Sequence, residues 1–456
     1  MPARSTASAS CFFAWSLAAV AGLTLALPQA AVAKISLPPG VPPTVIPKRN
    51  TPSAPPRRNN PQTGADIKPG EPWADSLITK SSEQQYTATV EVTLKSLRSL
   101  DSRGFPSGPP LKFETAVVVF PVIESTAGSR FIESGFKGEF TFNGEKVDIT
   151  PKFIKNYHSG TQLARWEARG KEGNDLLLHI DVPMACWNIR IDESLAREIP
   201  WPKNGAFPEV AASTFKPQLF VDYIFRESEK TASDKYFKQL TAEWLDNEDP
   251  KKRPPYEIAK VLLGRVVENF QINGDGLAFT RDGSFEGFSS KGALLAMQDG
   301  RGSQHDMATI LAAVYRAAGL PARTVVGIDV AEESKIARSN ATSRRKLHSW
   351  VEYCLIDPGN GKEIWLPADP ERLRRNSSRP PRLEQEWKYF TYHEDLAAFI
   401  PLAFQYHPPT TVVAHGSPAL WGWLTTPNIQ NAEQSIRFYV NSRARRSGDD
   451  SSTKPR

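Results

Sequence analysis

Cysteine is scarce in this sequence, and several short motifs with known chemistry are missing. Three cysteines occur in 456 residues, and Cys11 lies in an apolar N-terminal stretch. Cys186 and Cys354 therefore have one pairing open to them, and the sequence does not decide whether they pair or are separate buried residues. No H-E-x-x-H, C-x-x-C or glycine-rich phosphate loop is present. We therefore expect no metal site and no cofactor.

Long apolar runs are also scarce, since the only one lies at residues 11–27. It follows Arg4 and precedes an A-V-A triplet that ends at Ala33, the pattern of an export signal. An uncleaved anchor is the alternative, because the run approaches the ~20 residues that a bilayer requires. The cleavage triplet and the lack of a basic stop-transfer flank favour a signal peptide over residues 1–33. We predict an exported protein (periplasmic, cell-envelope or secreted) with no integral membrane segment after signal removal.

Basic charge is not concentrated in the part of the chain that we expect to fold. The net charge of +6 comes from residues 34–75 and 441–456, each with three more basic than acidic residues. The remainder is close to neutral, which argues against a nucleic-acid groove. Residues 34–75 are rich in proline, so we predict a disordered linker, either solvated or lying against an anionic envelope surface. Residues 441–456 are predicted to be a disordered basic tail.

Hydrophobic periodicity divides the rest of the chain. Apolar residues alternate in segments such as Y-T-A-T-V-E-V-T-L, Asn143-Gly144 is a hairpin signal, and further strands are predicted at 175–184 and 218–225. Helical periodicity begins near residue 230. The predicted parts are a β-rich, β-sandwich-like domain (76–228), an α+β domain (229–372) and a partly ordered C-terminal extension (373–440).

Two helices and a hairpin are predicted in the α+β domain. The segment P-P-Y-E-I-A-K-V-L-L-G-R-V-V-E-N-F begins with prolines suited to a first turn. A second amphipathic helix is predicted at 305–318, ended by Gly319 and Pro321. Strands follow at 322–330 and 348–356, after which D-P-G-N-G-K turns the chain into E-I-W-L-P-A-D-P.

The predicted hairpin brings His348 close to Asp369. If the turn is centred between Pro358 and Gly359, His348 pairs with residue 369 or 370. An imidazole held by a carboxylate is the base-and-orienter half of a nucleophilic triad. A purely structural His–Asp hydrogen bond is the alternative and is the more common use of such a pair.

Four motifs follow one another in roughly residues 255–372. Their residues are Gly302, Ala308, Arg316, Ala317, Gly319, Leu320, Pro321, Ala322, Arg323, His348, Trp350, Glu352, Trp365, Pro367, Asp369 and Pro370. This order resembles the transglutaminase-like superfamily pattern G-x-C-x-x-x-A, R-A-x-G-[IL]-P-A-R, H-x-W-x-E and W-x-P-x-D-P. The resemblance implies an α+β fold: a β-sandwich-like domain, then a papain/transglutaminase-like α+β domain. It also implies a Cys-His-Asp triad in which His348 and Asp369 are two of the members.

The chain departs from the family pattern at the nucleophile. Counting back from Gly319 by the family's interval leads to Gln304, where the family has cysteine. Members with the full triad form a thioester and pass the acyl group to an amine or to water, whereas a glutamine amide has no useful nucleophilicity. Ser303 is an alternative nucleophile, although with Asp306 it has the pattern of a helix N-cap.

Other candidate groups follow from position along the chain. His305 lies in the first helical turn, which is typical of a polar surface residue, and with Trp350 it is our candidate binding residue. Cys354 is six residues along the strand from His348, roughly 20 Å away at ~3.3 Å per residue. Cys186 belongs to the predicted β-rich domain. Neither thiol is therefore expected beside the imidazole.

Two functions remain open from the sequence. The favoured one is an inactive transglutaminase-like module whose cleft binds a peptide or cell-envelope polymer, or which scaffolds an envelope assembly. The alternative is a transglutaminase- or peptidase-type acyltransferase or hydrolase that uses Ser303 or a relocated thiol, with His348 as base and Asp369 as orienter. We favour the first because Gln304 cannot attack a carbonyl carbon.

Overall fold

The computed structural model describes residues 72–99, 101–103, 105, 107–215, 227–279, 285–288, 290–330, 347–404, 422–427 and 433–442. All of them belong to one compact unit, Asn59–Arg456. The predicted signal peptide, nearly all of the predicted linker, the strand predicted at 218–225 and the chain beyond residue 442 lie outside the described residues.

The first half of the described chain consists mainly of strands. They are β1 (Ile78–Lys95), β2 (Leu111–Val122), β3 (Ser125–Thr126), β4 (Ser129–Phe131), β5 (Lys137–Phe142), β6 (Glu145–Val147), β7 (Lys152–Tyr157), β8 (Thr161–Gly173) and β9 (Leu176–Ile191). Short helices α1 (Trp73–Leu77), α2 (Glu193–Glu198) and α3 (Glu209–Ser213) flank them.

Helices and strands alternate in the second half. The helices are α4 (Glu227–Trp244), α5 (Pro255–Asn269), α6 (Ala293–Asp299), α7 (Gln304–Ala317) and α8 (Pro370–Asn376). The strands are β10 (Gln271–Ile272), β11 (Leu277–Phe279), β12 (Phe285–Phe288), β13 (Arg301–Gly302), β14 (Ala322–Asp329), β15 (Leu347–Ile356), β16 (Glu363–Ala368), β17 (Tyr392–His393), β18 (Phe399–Phe404), β19 (Gly422–Thr426) and β20 (Glu433–Ser442).

Two antiparallel sheets pack face to face in the β-rich part, which confirms the predicted sandwich-like fold. One has the order β11-β12-β20-β1-β9-β4-β3, with β5, β6 and β17 attached, and the other has the order β19-β2-β8-β7. Their facing side chains, among them Val90, Ile180 and Trp166, form one buried apolar cluster. Asn143 and Gly144 have φ of 50° and 79° and form the tight β5–β6 turn, as predicted.

The C-terminal extension contributes strands to both parts of the fold. β18 pairs with β14, whereas β19 pairs with β2 and β20 pairs along β1. Chain-terminal segments therefore complete sheets that begin far away in sequence. The described strands of the extension belong to these sheets.

The α+β part is built from an antiparallel sheet of order β16-β15-β14-β18 and a helical layer. Helix α7 is central, and all its residues from Gln304 to Arg316 are buried. It contacts α5, α6 and β15. Gly319 ends it with a φ of 84°, a left-handed conformation that suits glycine at this position. Within the described ranges, no helix has the length and hydropathy needed to cross a membrane.

Candidate functional site

The ends of three elements bring the predicted site residues together. His348 is the second residue of β15, Gln304 begins α7, and Asp369 is the N-cap of α8. Asp369 takes the cap position because Pro370 suits the first helical turn. Its Oδ1 accepts the Arg372 N–H at 3.0 Å, which fixes the carboxylate.

The side chains of His348 and Asp369 meet, although in a register that differs from the predicted one. His348 Nε2 lies 2.6 Å from Asp369 Oδ2. The strands pair Val351 with Ala368, so the centre of the turn is one residue later than expected. Asp369 consequently lies beyond the end of β16 and contacts the imidazole from the helix cap, not from a paired strand position.

The Gln304 side chain lies on the other side of the imidazole. Its Nε2 donates to the Leu347 carbonyl at 2.9 Å, which leaves Oε1 3.4 Å from His348 Nδ1. Gln304 is 5% exposed. The imidazole therefore has a carboxylate oxygen at Nε2 and an amide oxygen facing Nδ1.

Ser303 caps α7, as the sequence predicts. Its Oγ accepts the Asp306 N–H at 3.2 Å and donates to Asp306 Oδ2 at 2.8 Å. The Ser303 N–H donates to the same carboxylate oxygen at 2.8 Å, which completes a capping box. Gly302 allows this approach, because an added Cβ would lie 2.7 Å from Asp306 Oδ2. The Ser303 hydroxyl is thus held by the start of its own helix.

His305 is fully buried, so the surface position expected from the sequence is wrong. Helix α7 is enclosed on all sides, and even its first turn packs inside the protein. The ring lies edge-on to Phe288 at 4.6 Å, and Nδ1 is 2.6 Å from Ser349 Oγ. Burial lowers the pKa of His305 to about 3, with a smaller effect from the His348 charge. This imidazole is a neutral packing group.

Trp350 lies behind the imidazole. It is 2% exposed, and its ring stacks on that of His348 at 6.1 Å with an interplanar angle of 18°. Phe399 contacts both rings, at 4.8 Å from His348 and 5.8 Å from Trp350. Trp350 therefore fixes the orientation of the His348 ring by stacking and does not extend into a cleft.

The His348–Asp369 pair is an ion pair in a buried setting. Burial by itself would lower the pKa of His348, but the Asp369 carboxylate and then Glu371 outweigh it and raise the pKa above its usual value. Burial would raise the pKa of Asp369, yet His348 and Arg372 lower it. The pKa of Glu371 is raised, mainly by burial, with the Asp369 charge adding to the effect.

Sequence reasoning missed a group of charged residues around the pair. Glu371 Oε2 lies 4.0 Å from His348 Nδ1, and its other oxygen pairs with Arg375. Arg372 pairs with Asp329 at 3.1 Å and also with Asp395. The sequence feature that could have predicted this group is the P-E-R-L-R-R run directly after Asp369. This run starts helix α8 and brings its charged side chains next to the His348–Asp369 pair.

A cavity of about 360 Å³ opens next to this cluster. Gln304 and His348 line it together with charged residues of both signs. The charged lining residues are Asp275, Asp329, Glu371, Arg372 and Arg375, and Asn376 and Tyr389 also line the cavity. The predicted binding residues Trp350 and His305 are buried and are not among the residues that line this cavity.

Both described cysteines are free and buried, which answers the question left open by the sequence. Burial raises the pKa of Cys186, in β9, to about 12. Burial also raises the pKa of Cys354, whose Sγ donates to the Leu355 carbonyl at 3.2 Å. Buried thiols with raised pKa values supply little thiolate, and thiolate is the nucleophilic form.

A family model matches part of this chain. Residues 242–370 match the model of the transglutaminase-like superfamily. This part of the chain is a transglutaminase-like domain. It includes α5, α7, strands β14 to β16 and the Asp369 cap, so the His348–Asp369 dyad lies within the matched region. No curated protein matches the chain.

Two solved structures are similar to parts of the chain. A "putative cysteine protease" from Cytophaga hutchinsonii aligns with a TM-score of 0.45 and 12% identity, over 80% of this chain and 93% of its own. A "putative protease" from Parabacteroides distasonis aligns with a TM-score of 0.19 and 8% identity, over 64% of this chain and 62% of its own. Because both scores are below 0.5, we draw nothing about activity from either.

Two residues of the family motifs serve the fold of the transglutaminase-like domain. Arg323 and Glu352 lie opposite each other on β14 and β15 and form a buried ion pair, with Arg323 Nε and Nη2 3.0 and 2.7 Å from Glu352 Oε2. Arg323 Nη1 donates to the Ser159 carbonyl at 2.8 Å, and Glu352 Oε1 accepts the Ala127 N–H at 2.8 Å. The pair therefore attaches the site sheet to the β-rich part.

Proposed function

We propose that this protein is an exported, transglutaminase-like binding module that does not perform acyl transfer and that holds a peptide or a cell-envelope polymer in its cleft. The observation that supports it is the position of Gln304. Its side chain stands next to His348 Nδ1, where a triad requires a nucleophile that can give up a proton.

An amide at this position cannot start the reaction. Gln304 Nε2 donates to the Leu347 carbonyl, and Oε1 is an acceptor, so the side chain offers the imidazole neither a transferable proton nor an attacking lone pair of useful basicity. Loss of a triad nucleophile costs several orders of magnitude in rate. We therefore infer that the dyad positions ligands electrostatically.

The cavity supports a polar, extended ligand. Its volume of about 360 Å³ is in the range of small-ligand sites. Carboxylates such as Asp275 and Asp329 and the guanidinium of Arg375 offer contacts to ammonium, amide and carboxylate groups alike. Peptides and peptide-containing wall polymers carry all three kinds of group, whereas a uniformly anionic polymer would be repelled by the carboxylates.

The alternative is an active acyltransferase or hydrolase with His348 as base and Asp369 as orienter. Retention of a well-aligned His–Asp pair favours it. Its candidate nucleophiles argue against it, because the Ser303 hydroxyl is hydrogen-bonded to Asp306 and both described thiols are buried. The alternative therefore requires a rearrangement at the start of α7.

The experiment compares wild type, Gln304→Cys and Ser303→Ala. Transamidation is measured with a glutamine-donor peptide and a fluorescent amine, and hydrolysis with a general peptide panel. We expect no turnover by wild type or Ser303→Ala, and a measurable gain by Gln304→Cys that disappears when His348→Ala is added. Turnover by wild type that is lost in Ser303→Ala would overturn the proposal and establish the alternative.

Binding and export are tested separately. Co-sedimentation with purified wall polymer, or titration with a peptide library, is expected to show retention that weakens in Arg375→Gln. Arg375 suits this test because its side chain lines the cavity and is 61% exposed. Since Arg375→Gln also removes the partner of Glu371, urea unfolding of the variant is measured beside its binding. Export predicts that protein isolated from the cell envelope or medium begins at Lys34. Recovery of the full chain from the cytosol would contradict it.

A further inference from the structure

A second cavity, an apolar groove, is lined by the segment after α2 and by the β15–β16 turn. It has a volume of about 550 Å³, and no described residue lines both this groove and the cavity at His348. Among its described lining residues, Lys203 and Asp357 carry charge. Prolines and aromatic rings supply most of the rest: Pro200, Pro202, Pro208, Pro358, Trp201 and Phe207. Such rings offer flat apolar faces to the prolines of an extended chain.

Hydrogen bonds hold both sides of this groove in place. Trp201 Nε1 donates to the Arg253 carbonyl at 2.8 Å, which sets the orientation of the indole ring. On the β15–β16 turn, Asp357 Oδ1 accepts the Gly359 N–H at 2.8 Å. The groove is therefore formed before a ligand enters, which lowers the entropic cost of binding.

The described chain begins at the edge of this groove. The Trp73 N–H donates to Asp357 Oδ2 at 2.8 Å, and Asp357 is 1% exposed. The peptide bond between Pro72 and Trp73 thus lies against a lining residue. The preceding chain leaves from this point, and residues 34–71 carry ten prolines. The part of it that is nearest to the groove along the chain is residues 66–71, D-I-K-P-G-E.

The composition of residues 66–71 suits the groove. Ile67 and Pro69 supply two apolar side chains, and Pro69 restricts φ to the value of the polyproline II conformation, which aromatic-lined grooves bind. Asp66 and Glu71 supply carboxylates for Lys203, which is exposed. Because the segment is tethered to the groove, its effective concentration there is about millimolar. Contacts that are too weak to hold a free peptide are then sufficient.

We propose that this groove binds residues 66–71 of the same chain. Bound there, the segment attaches the Pro-rich spacer to the β15–β16 turn, and the predicted disordered linker ends at residue 65 instead of 75. The spacer then leaves the folded part in a fixed direction. The proposal goes beyond the function proposed above and does not depend on it.

The test places a fluorophore on the segment in a chain that begins at Lys34. Lys68→Cys keeps Ile67 and Pro69, and its thiol can be labelled selectively with bimane because Cys186 and Cys354 are buried. Bimane emission is quenched by a tryptophan in contact with it, here Trp201. We expect the emission to rise at least twofold when Trp201→Phe is added.

A pair of alanine variants gives independent evidence. Ala206 lines the groove and is exposed, so Ala206→Arg fills the groove without placing a charge in the core. We expect it to raise the bimane emission as Trp201→Phe does. Ala212 is exposed and is not among the described lining residues, so Ala212→Arg is the matched control and should leave the emission unchanged.

Three results would overturn the proposal. They are equal emission with and without Trp201, no effect of Ala206→Arg, and emission that rises on dilution, since the groove would then hold a segment of a second copy. If urea unfolding shows that Trp201→Phe does not fold, Ala206→Arg against Ala212→Arg decides. None of these measurements involves turnover or a ligand at His348, so a failure here is distinct from a failure of the proposed function.

Discussion

The Arg323–Glu352 pair makes a sharp prediction about stability. The side chains of Arg323 and Glu352 are 4% and 0% exposed, and the guanidinium lies between the rings of Trp365 and Phe404 at 3.9 and 3.6 Å. Glu352→Gln keeps an acceptor for the Ala127 N–H but removes the charge that balances Arg323. Leaving one member of a buried ion pair without its partner costs about 3–5 kcal/mol.

The double variant Arg323→Met, Glu352→Gln isolates the cause. Methionine keeps much of the packing between the two rings and removes the unbalanced charge. The remaining loss is the bond from Arg323 to the Ser159 carbonyl, about 1 kcal/mol. We therefore expect the double variant to be more stable than Glu352→Gln alone, although less stable than wild type.

The assay is urea unfolding followed by tryptophan fluorescence, with the free energy of unfolding compared at equal m values. The exposed pair Asp234–Lys238, with side chains 40% and 63% exposed, is the control. Asp234→Asn should change stability by less than 1 kcal/mol. If Glu352→Gln costs no more than this surface change, the claim that the pair joins the two parts of the fold is wrong.

Two further predictions concern the helix cap and pH. Ser303→Ala should lower the free energy of unfolding by about 1 kcal/mol through loss of the capping box, measured by the same urea assay, and an unchanged value would contradict the cap assignment. Burial lowers the pKa of His393 to about 4 from 6.5, so the unfolded chain binds the proton first. Stability from this group is complete above pH 6.5 and is lost as the pH falls towards 4, by up to about 3 kcal/mol. His393→Gln should flatten the dependence of unfolding free energy on pH in that window, and an unaltered slope would exclude His393 as its source.

Several features of the site could be predicted from local sequence. The Ser303 cap needs only residues three apart, and the end of α7 needs only Gly319, because both depend on backbone groups within one turn. The approach of Asp369 to His348 followed from a hairpin of short range. The centre of its turn was off by one residue, because turn residues do not fix where a loop begins.

The errors concern burial and contacts over long sequence distances. The pattern of α7 shows one apolar stripe, but tertiary packing encloses every face, so His305 is buried. Glu371 is close to His348 because α8 begins at the Asp369 cap, a position that strand periodicity does not reveal. Cys186 and Cys354 are separated because one belongs to the β-rich sheet and the other to the site sheet.

What the sequence alone determined is the α+β class, the sandwich-like first part and the ordered set of site residues, including glutamine at position 304. These depend on periodicity, capping and motif spacing, which are local properties of the chain. Only the tertiary structure decided that Gln304 and Glu371 lie beside His348 at the cavity and that Arg323 and Glu352 attach the site sheet to the β-rich part. Such arrangements depend on how elements far apart in sequence pack, and packing is set by the shape of the whole core.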